Sequence, residues 1–161
     1  MTAIIIDAPP AQAEPQSGQR VRNYRDLFAW PTTIDSVSGD VCLQLGTIVD
    51  ALIMRAGFAG EVNDSLARHM LRAPIIVVPG DPGNWIFLTQ PRTTMRRSSW
   101  DELVRLRIGW KRRGDTIVLP ALDNMDEGVR WLERPRPHVA LPPWTAVVGA
   151  ARSMSSPCGT W

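Results

Sequence analysis

Asp50 is the one carboxylate set inside an otherwise apolar β run, Ile48-Val49-Asp50-Ala51-Leu52-Ile53-Met54. A carboxylate in a buried strand is costly unless it holds a metal, pairs with arginine or accepts several hydrogen bonds. Strand alternation can instead turn it toward solvent, and solvent or an arginine is the preferred expectation over a metal-ligand role. A second position stands out for where it sits. The loop Pro79-Gly80-Asp81-Pro82-Gly83-Asn84 joins Ile75-Ile76-Val77-Val78 to Trp85-Ile86-Phe87-Leu88-Thr89, delivering Trp85 to the start of a strand beside a loop. Ligand-contacting groups often stand at such a place. An indole, however, neither ligates a metal nor transfers a proton.

Other chemistries find little support. Zinc takes about four thiolate, imidazole or carboxylate ligands, and the sequence offers His69 and His138, distant from each other and from Cys42 and Cys158. The acidic stretch Asp123 to Gly128 invites comparison with a calcium loop, but the position that should carry a bidentate glutamate falls on Arg134. Gly80 and Gly83 belong to neither phosphate-cradling glycine motif, and no Ser or Cys nucleophile has a neighbouring histidine. No cofactor is expected, divalent metal included.

The elements that must position these residues follow from periodicity and punctuation. Tyr24, Leu27 and Phe28 fall on one face of a short helix over 21–29, closed at Trp30-Pro31. Strands are expected over 41–45 and 48–54, with Gly46-Thr47 as a tight hairpin or a bulge. Phe58, Val62, Leu66 and Met70 recur every fourth residue on a helix from about 57 to 71, stopped by Pro74. The β runs flanking the 79–84 loop form a hairpin. Ser99-Trp100-Asp101-Glu102 has capping-box spacing and opens a helix through about 107. Strands over 114–120 and 129–133 flank the acidic turn, and Pro143 is placed as the first-turn proline of a helix over 144–152.

At 161 residues the chain fits one domain, read here as 21–152, with a proline-rich flexible arm over 1–20 and a loose tail over 153–161. Its N-terminus lacks a basic leader region, and Asp7 interrupts the apolar Ala3-Ile4-Ile5-Ile6, so no signal peptide or membrane span is expected. Two cysteines without a framework suit a cytoplasmic protein with reduced thiols. The net charge of +2 makes no case for nucleic acid, but its distribution is uneven. Arg92, Arg96, Arg97, Arg105, Arg107, Lys111, Arg112 and Arg113 stand against only Asp101 and Glu102 over 92–113, a local +6.

The order of these parts over about 24–148 resembles the bifunctional primase-polymerase N-terminal domains of the archaeo-eukaryotic primase superfamily, in particular their reduced actinobacterial versions. The matching pieces are the helix into Trp30-Pro31, the strand carrying Asp50, a helix, and two turn-then-strand units, Pro79 to Leu88 and Arg113 to Pro120, followed by Gly128-Val129-Arg130-Trp131. The resemblance implies an α+β fold with a mixed, mainly antiparallel sheet and flanking helices around an RRM-like core. In active members two acidic residues one position apart, a strand-opening histidine and a third acidic residue hold divalent metal and the incoming triphosphate, as two-metal phosphoryl transfer requires. Carried over, the acidic pair becomes Asp50 with Leu52, or Ile48 with Asp50. The histidine becomes Trp85, and the third acidic position falls near Gly109.

The expectation is therefore a remnant cleft at Asp50, Trp85 and Gly109 without polymerase or primase activity. For its present role three alternatives stand. The arginine-rich stretch could bind nucleic acid through phosphates, with Trp85, Trp100 and Trp110 stacking bases unless they serve the core. It or the old cleft could instead meet an acidic protein surface, or Trp85 and an arginine could hold a nucleotide without catalysis.

Overall fold

The β-branched and aromatic runs do form strands, but they divide between two sheets. The computed structural model describes residues 16–155. Along the chain these give α1 (Gln16–Phe28), β1 (Thr32–Ile34), β2 (Val41–Gln44), β3 (Asp50–Arg55), α2 (Ala56–Arg68), β4 (Ile75–Val78) and β5 (Asn84–Thr89). They continue as α3 (Arg97–Arg105), β6 (Gly109–Trp110), β7 (Thr116–Val118), β8 (Arg130–Glu133) and α4 (Trp144–Ser155). One sheet has the order β1-β2-β7 and the other β6-β3-β5-β4-β8. All pairings between these strands are antiparallel, and the fold is α+β.

Within the larger sheet, β3-α2-β4-β5-α3-β6 takes the spatial order β6-β3-β5-β4, the split βαβ arrangement, with β8 added beside β4. Alternation along its strands feeds two cores. Leu52, Met54, Ile75 and Phe87 pack against Val62 and Leu66 of α2, Leu103 of α3 and Trp144, Val147 and Ala151 of α4. Ala51, Ile76, Ile86 and Leu88 face the other way, onto Val21 and Tyr24 of α1 and onto Val41, Leu43 and Ile117 of the small sheet. The large sheet is thus buried on both faces.

Several sequence expectations are corrected. Residues 16–20, assigned to the flexible arm, begin α1, because Ser17 Oγ donates to the Gly39 carbonyl (2.8 Å) and Arg20 Nη2 to the Leu119 carbonyl (2.8 Å). The remaining arm residues, 1–15, and the tail from 156, including Cys158, lie outside the described residues. Residues 153–155, expected in the tail, extend α4. Gly46-Thr47 does not pair β2 with β3. Gly46 closes on Val49 (N to O, 2.8 Å) at φ 102°, and the two strands part into different sheets. The strands on either side of the acidic turn separate likewise, β7 joining β2 and β8 joining β4. Met70 does not complete the α2 stripe. Leu71 N bonds the Leu66 carbonyl (2.9 Å) and buries part of its own side chain, while Met70 turns outward at φ 59° and is 93% exposed. The capping box is also unformed: α3 opens three residues earlier, flanked by Arg96 in place of Ser99 and with no side-chain cap, and Glu102 instead pairs with Arg152 of α4 (2.6 Å).

Tyr24 anchors α1 against the sheets. Its ring stacks on Trp30 (5.9 Å, 6°), its hydroxyl donates to the Pro120 carbonyl, and it accepts a bond from Trp131 Nε1 (3.2 Å). Burial pushes its pKa up to about 12 from 10.0. The unfolded chain then releases this proton near pH 10 while the folded chain keeps it, so this contribution to stability is whole below pH 10 and is lost as pH rises toward 12. Tyr24 is the only tyrosine and Lys111 the only lysine, which leaves the alkaline range unusually clean. Absorbance near 295 nm should therefore show a native tyrosinate midpoint near 12, moving to about 10 in urea. Tyr24→Phe should lose about 1–3 kcal/mol at neutral pH, because Pro120 O and Trp131 N–H lose a buried partner. A native midpoint at the free-tyrosine value would contradict the buried, hydrogen-bonded hydroxyl.

Candidate functional site

Asp50 opens β3 opposite Thr89 of β5, and its side chain shares the helix-covered face with Leu52 and Met54. It is fully buried. Its carboxylate accepts Arg92 Nε on Oδ2 (2.6 Å) and Arg92 Nη2 on Oδ1 (2.8 Å), a bidentate pair. The backbone N–H groups of Ala51 (3.0 Å) and Arg92 (3.2 Å) complete its shell. Arg92 Nη2 also donates to the Lys111 carbonyl, and the guanidinium lies 5.1 Å above the Trp144 ring. Each carboxylate oxygen thus accepts two donors, all of them N–H groups. Of the arrangements open to Asp50, the structure adopts the arginine pair, and a carboxylate so engaged has no free face for a cation.

That pairing removes Arg92 from the expected nucleic-acid contacts, since its guanidinium is turned inward. The other proposed cleft positions do not gather around Asp50. Trp85 stands opposite Met54, four residues along β3 and about 13 Å away at the usual rise of a strand. Its half-buried ring packs on the helix side against α2, where a Cβ on Gly60 would stand 4.0 Å from its edge. Gly109 lies opposite Ile53 on the other flank of β3. A side chain there would meet Ile53 at 3.5 Å, an ordinary contact, so the backbone does not demand glycine. Among the described residues no three His, Cys, Asp or Glu side chains group as a metal site.

The remaining cations of the 92–113 stretch are mostly turned to solvent. Arg96, Arg97, Arg105, Arg107, Arg112 and Arg113 are exposed, Lys111 is half-buried, and none of the seven enters an ion pair among the described residues. Arg96 and Arg97 crowd the opening of α3, where the helix dipole disfavours cations. The turn carrying Arg112 and Arg113 is held from both ends. Asp115 Oδ2 accepts the Arg112 N–H (3.0 Å), Asp115 N returns to the Arg112 carbonyl (3.1 Å), and Gly114 N donates to Leu45 O (2.8 Å). Gly46 makes room for it, since a Cβ there would fall 2.5 Å from Arg113 Cγ and 2.8 Å from its Cα. Asp115 therefore serves the backbone and leaves both guanidinium groups free.

Trp110 precedes this turn and meets Trp100 at 4.9 Å, with buried Trp144 behind at 6.2 Å from Trp100. Trp85, Trp100 and Trp110 are half-buried against the helix-side core, so packing claims much of each ring. The sheet face on which RRM-type domains stack bases is covered here by α1 and the small sheet. Sequence reasoning missed Trp144 as the ring beneath Arg92. It also missed Arg92 as the partner of Asp50, although the Asp50–Thr89 register places Arg92 only three residues past Asp50's strand neighbour. Among the described residues no helix is long and apolar enough to cross a membrane.

No protein-family model matches the chain, and comparison with curated proteins and with solved structures returned no match.

The Asp50–Arg92 geometry sets a stability test. Removing one partner strands the other charge, so Asp50→Ala and Arg92→Met should each cost about 3–5 kcal/mol in urea unfolding. The double variant Asp50→Leu, Arg92→Met should recover most of that loss. Single variants as stable as the wild type would show that the pair is not the buried, fully bonded unit described.

Proposed function

We propose that this chain is a catalytically silent primase-polymerase-like module of the cytoplasm that binds single-stranded nucleic acid through its phosphates. The observation that carries the reading is the fixed Arg112–Arg113 turn, whose residues are exposed and enter no ion pair among the described residues while Asp115 of the same turn is committed to the backbone. Arg105 in the last turn of α3, Arg107 just past it and Lys111 after β6 supply further cations close to this turn in the chain. Guanidinium forks bind phosphate oxygens in pairs, and a rigid turn lowers the ordering cost of doing so.

Loss of catalysis is supported by Asp50, whose oxygens are committed to Arg92, and by the separation of Asp50 from Trp85. The split βαβ order of the large sheet agrees with the core that the family resemblance implies. Binding through phosphates is sequence-tolerant, because phosphate contacts carry no sequence information. Trp110 contributes only what its exposed part can stack.

Anisotropy of a labelled single-stranded oligonucleotide at two salt concentrations tests the reading. The expected affinity falls with salt with a log-log slope of about −2 to −3.5, as about three to five phosphate contacts dictate. Arg112→Glu with Arg113→Glu should flatten that slope by about 1.4, the share of two phosphates. No nucleotide should be incorporated with any divalent metal. Absence of binding at low salt, or binding indifferent to the charge reversal, would defeat the proposal.

A further inference from the structure

The chain's other prominent surface is lined by none of the 92–113 cations. A cavity of about 540 Å³ opens between the C-terminal turn of α1 with Ala29 and Trp30 and the segment 134–141. A second, of about 420 Å³, adjoins it and shares Leu27, Phe28, Glu133, Arg134, Pro135 and Arg136 as walls. The shared walls join them into one groove. Five of the ten large apolar side chains exposed among the described residues, Leu27, Ile48, Met125, Leu132 and Val139, line it. Such a concentration of exposed apolar surface marks an interaction site.

The walls are set before anything binds. Ala29 and His138, at φ 55° and 63°, hold left-handed conformations on opposite sides of the groove. Left-handed backbone at a non-glycine residue is retained only where its surroundings fix it. Gln90 ties the far segment down, its N–H donating to Pro142 O (2.9 Å) and its Nε2 to Leu141 O (2.9 Å). Prolines at 135, 137, 142 and 143 stiffen the same segment.

Charge gives the occupant's character. Glu133 is engaged by Arg72 (3.8 Å), whereas Arg134 and Arg136 are exposed and enter no ion pair among the described residues. Asp26 is the remaining carboxylate of the lining, and His138 stands beside the two arginines. Arg134 and Arg136 line both cavities, whereas Asp123, Asp126 and Glu127 line neither, so the groove's cationic charge centres on these two arginines. We propose that it docks a peptide segment of a partner protein that carries carboxylates beside large apolar side chains, the carboxylates lying on Arg134 and Arg136. Apolar anchors combined with a charged rim are a recurring mode of peptide recognition.

A displayed library of ~12-residue random peptides, a length that spans three helical turns, can be selected on the full chain. Enriched sequences are expected to join Asp or Glu to Leu, Phe or Trp. A labelled copy of one such peptide should bind about tenfold or more weakly, 1.4 kcal/mol or above, in Leu27→Glu and in Val139→Glu. Arg134→Gln with Arg136→Gln should weaken it comparably, and Val118→Glu on β7 should leave it unchanged. Leu27 and Val139 are 46% and 58% exposed, so circular dichroism and melting should match the wild type, and the double glutamine variant removes no apolar contact. Enrichment without acidic residues, or peptide binding untouched by these variants, would overturn the proposal. So would self-association in sedimentation that Leu27→Glu abolishes, which assigns the groove to a second copy, or competition by single-stranded DNA, which assigns it to nucleic acid.

Discussion

Desolvating Asp50 is the constraint around which the large sheet is arranged. Several kcal/mol are lost when a carboxylate and a guanidinium leave water, and only close geometry with every remaining lone pair filled recovers them. Meeting that condition draws four parts of the chain to one point. These are the start of β3 with Asp50, the segment after β5 with Arg92, the carbonyl of Lys111 between β6 and β7, and the first turn of α4 with Trp144. An apolar pair of the same volume could fill the space, but it would not say which loop belongs beside which strand. Directional bonds from one guanidinium do so.

The surface chemistry depends on that internal arrangement. Lys111 is fixed by its carbonyl to Arg92, and two residues on, Arg113 packs against the backbone of Gly46. The Arg112–Gly114 turn is therefore rooted in the large sheet through the ion pair and braced by the small sheet through Leu45. Charge presented on so short a tether behaves as part of a rigid scaffold, unlike the flexible basic tails that order only on binding.

How much of this was legible in the sequence follows the range of the forces involved. α2, the β4–β5 hairpin and the start of α4 announce themselves through four-residue periodicity, a glycine-proline loop and a first-turn proline, all local signals. The division into two sheets does not, because β2 finds β7 about seventy-five residues away (Cys42 opposite Val118) and nothing near Gly46 encodes that partner. β6 is two residues long and gives no alternation to read. The capping box at Ser99 was a sound local signal that a tertiary contact, Glu102 with Arg152, outweighed. For the site, the basic cluster was visible as composition, yet composition could not reveal that Arg92 faces the opposite way from its neighbours. The groove was hidden altogether, since its walls come from opposite ends of the chain.

The small sheet has a consequence for the order in which this protein can be made. β1 and β2 leave the ribosome early, but β7, which completes their sheet, follows only after β3, α2, β4, β5, α3 and β6 have been synthesised. Until then one edge of β2 is open, and Val41 and Leu43, fully buried in the finished fold, lack their cover. Pairings of such long sequence separation form slowly because loop closure precedes the gain from contact. The nascent N-terminal third is thus the stretch most exposed to wrong partners during synthesis, and a truncation anywhere before Thr116 leaves it permanently in that condition.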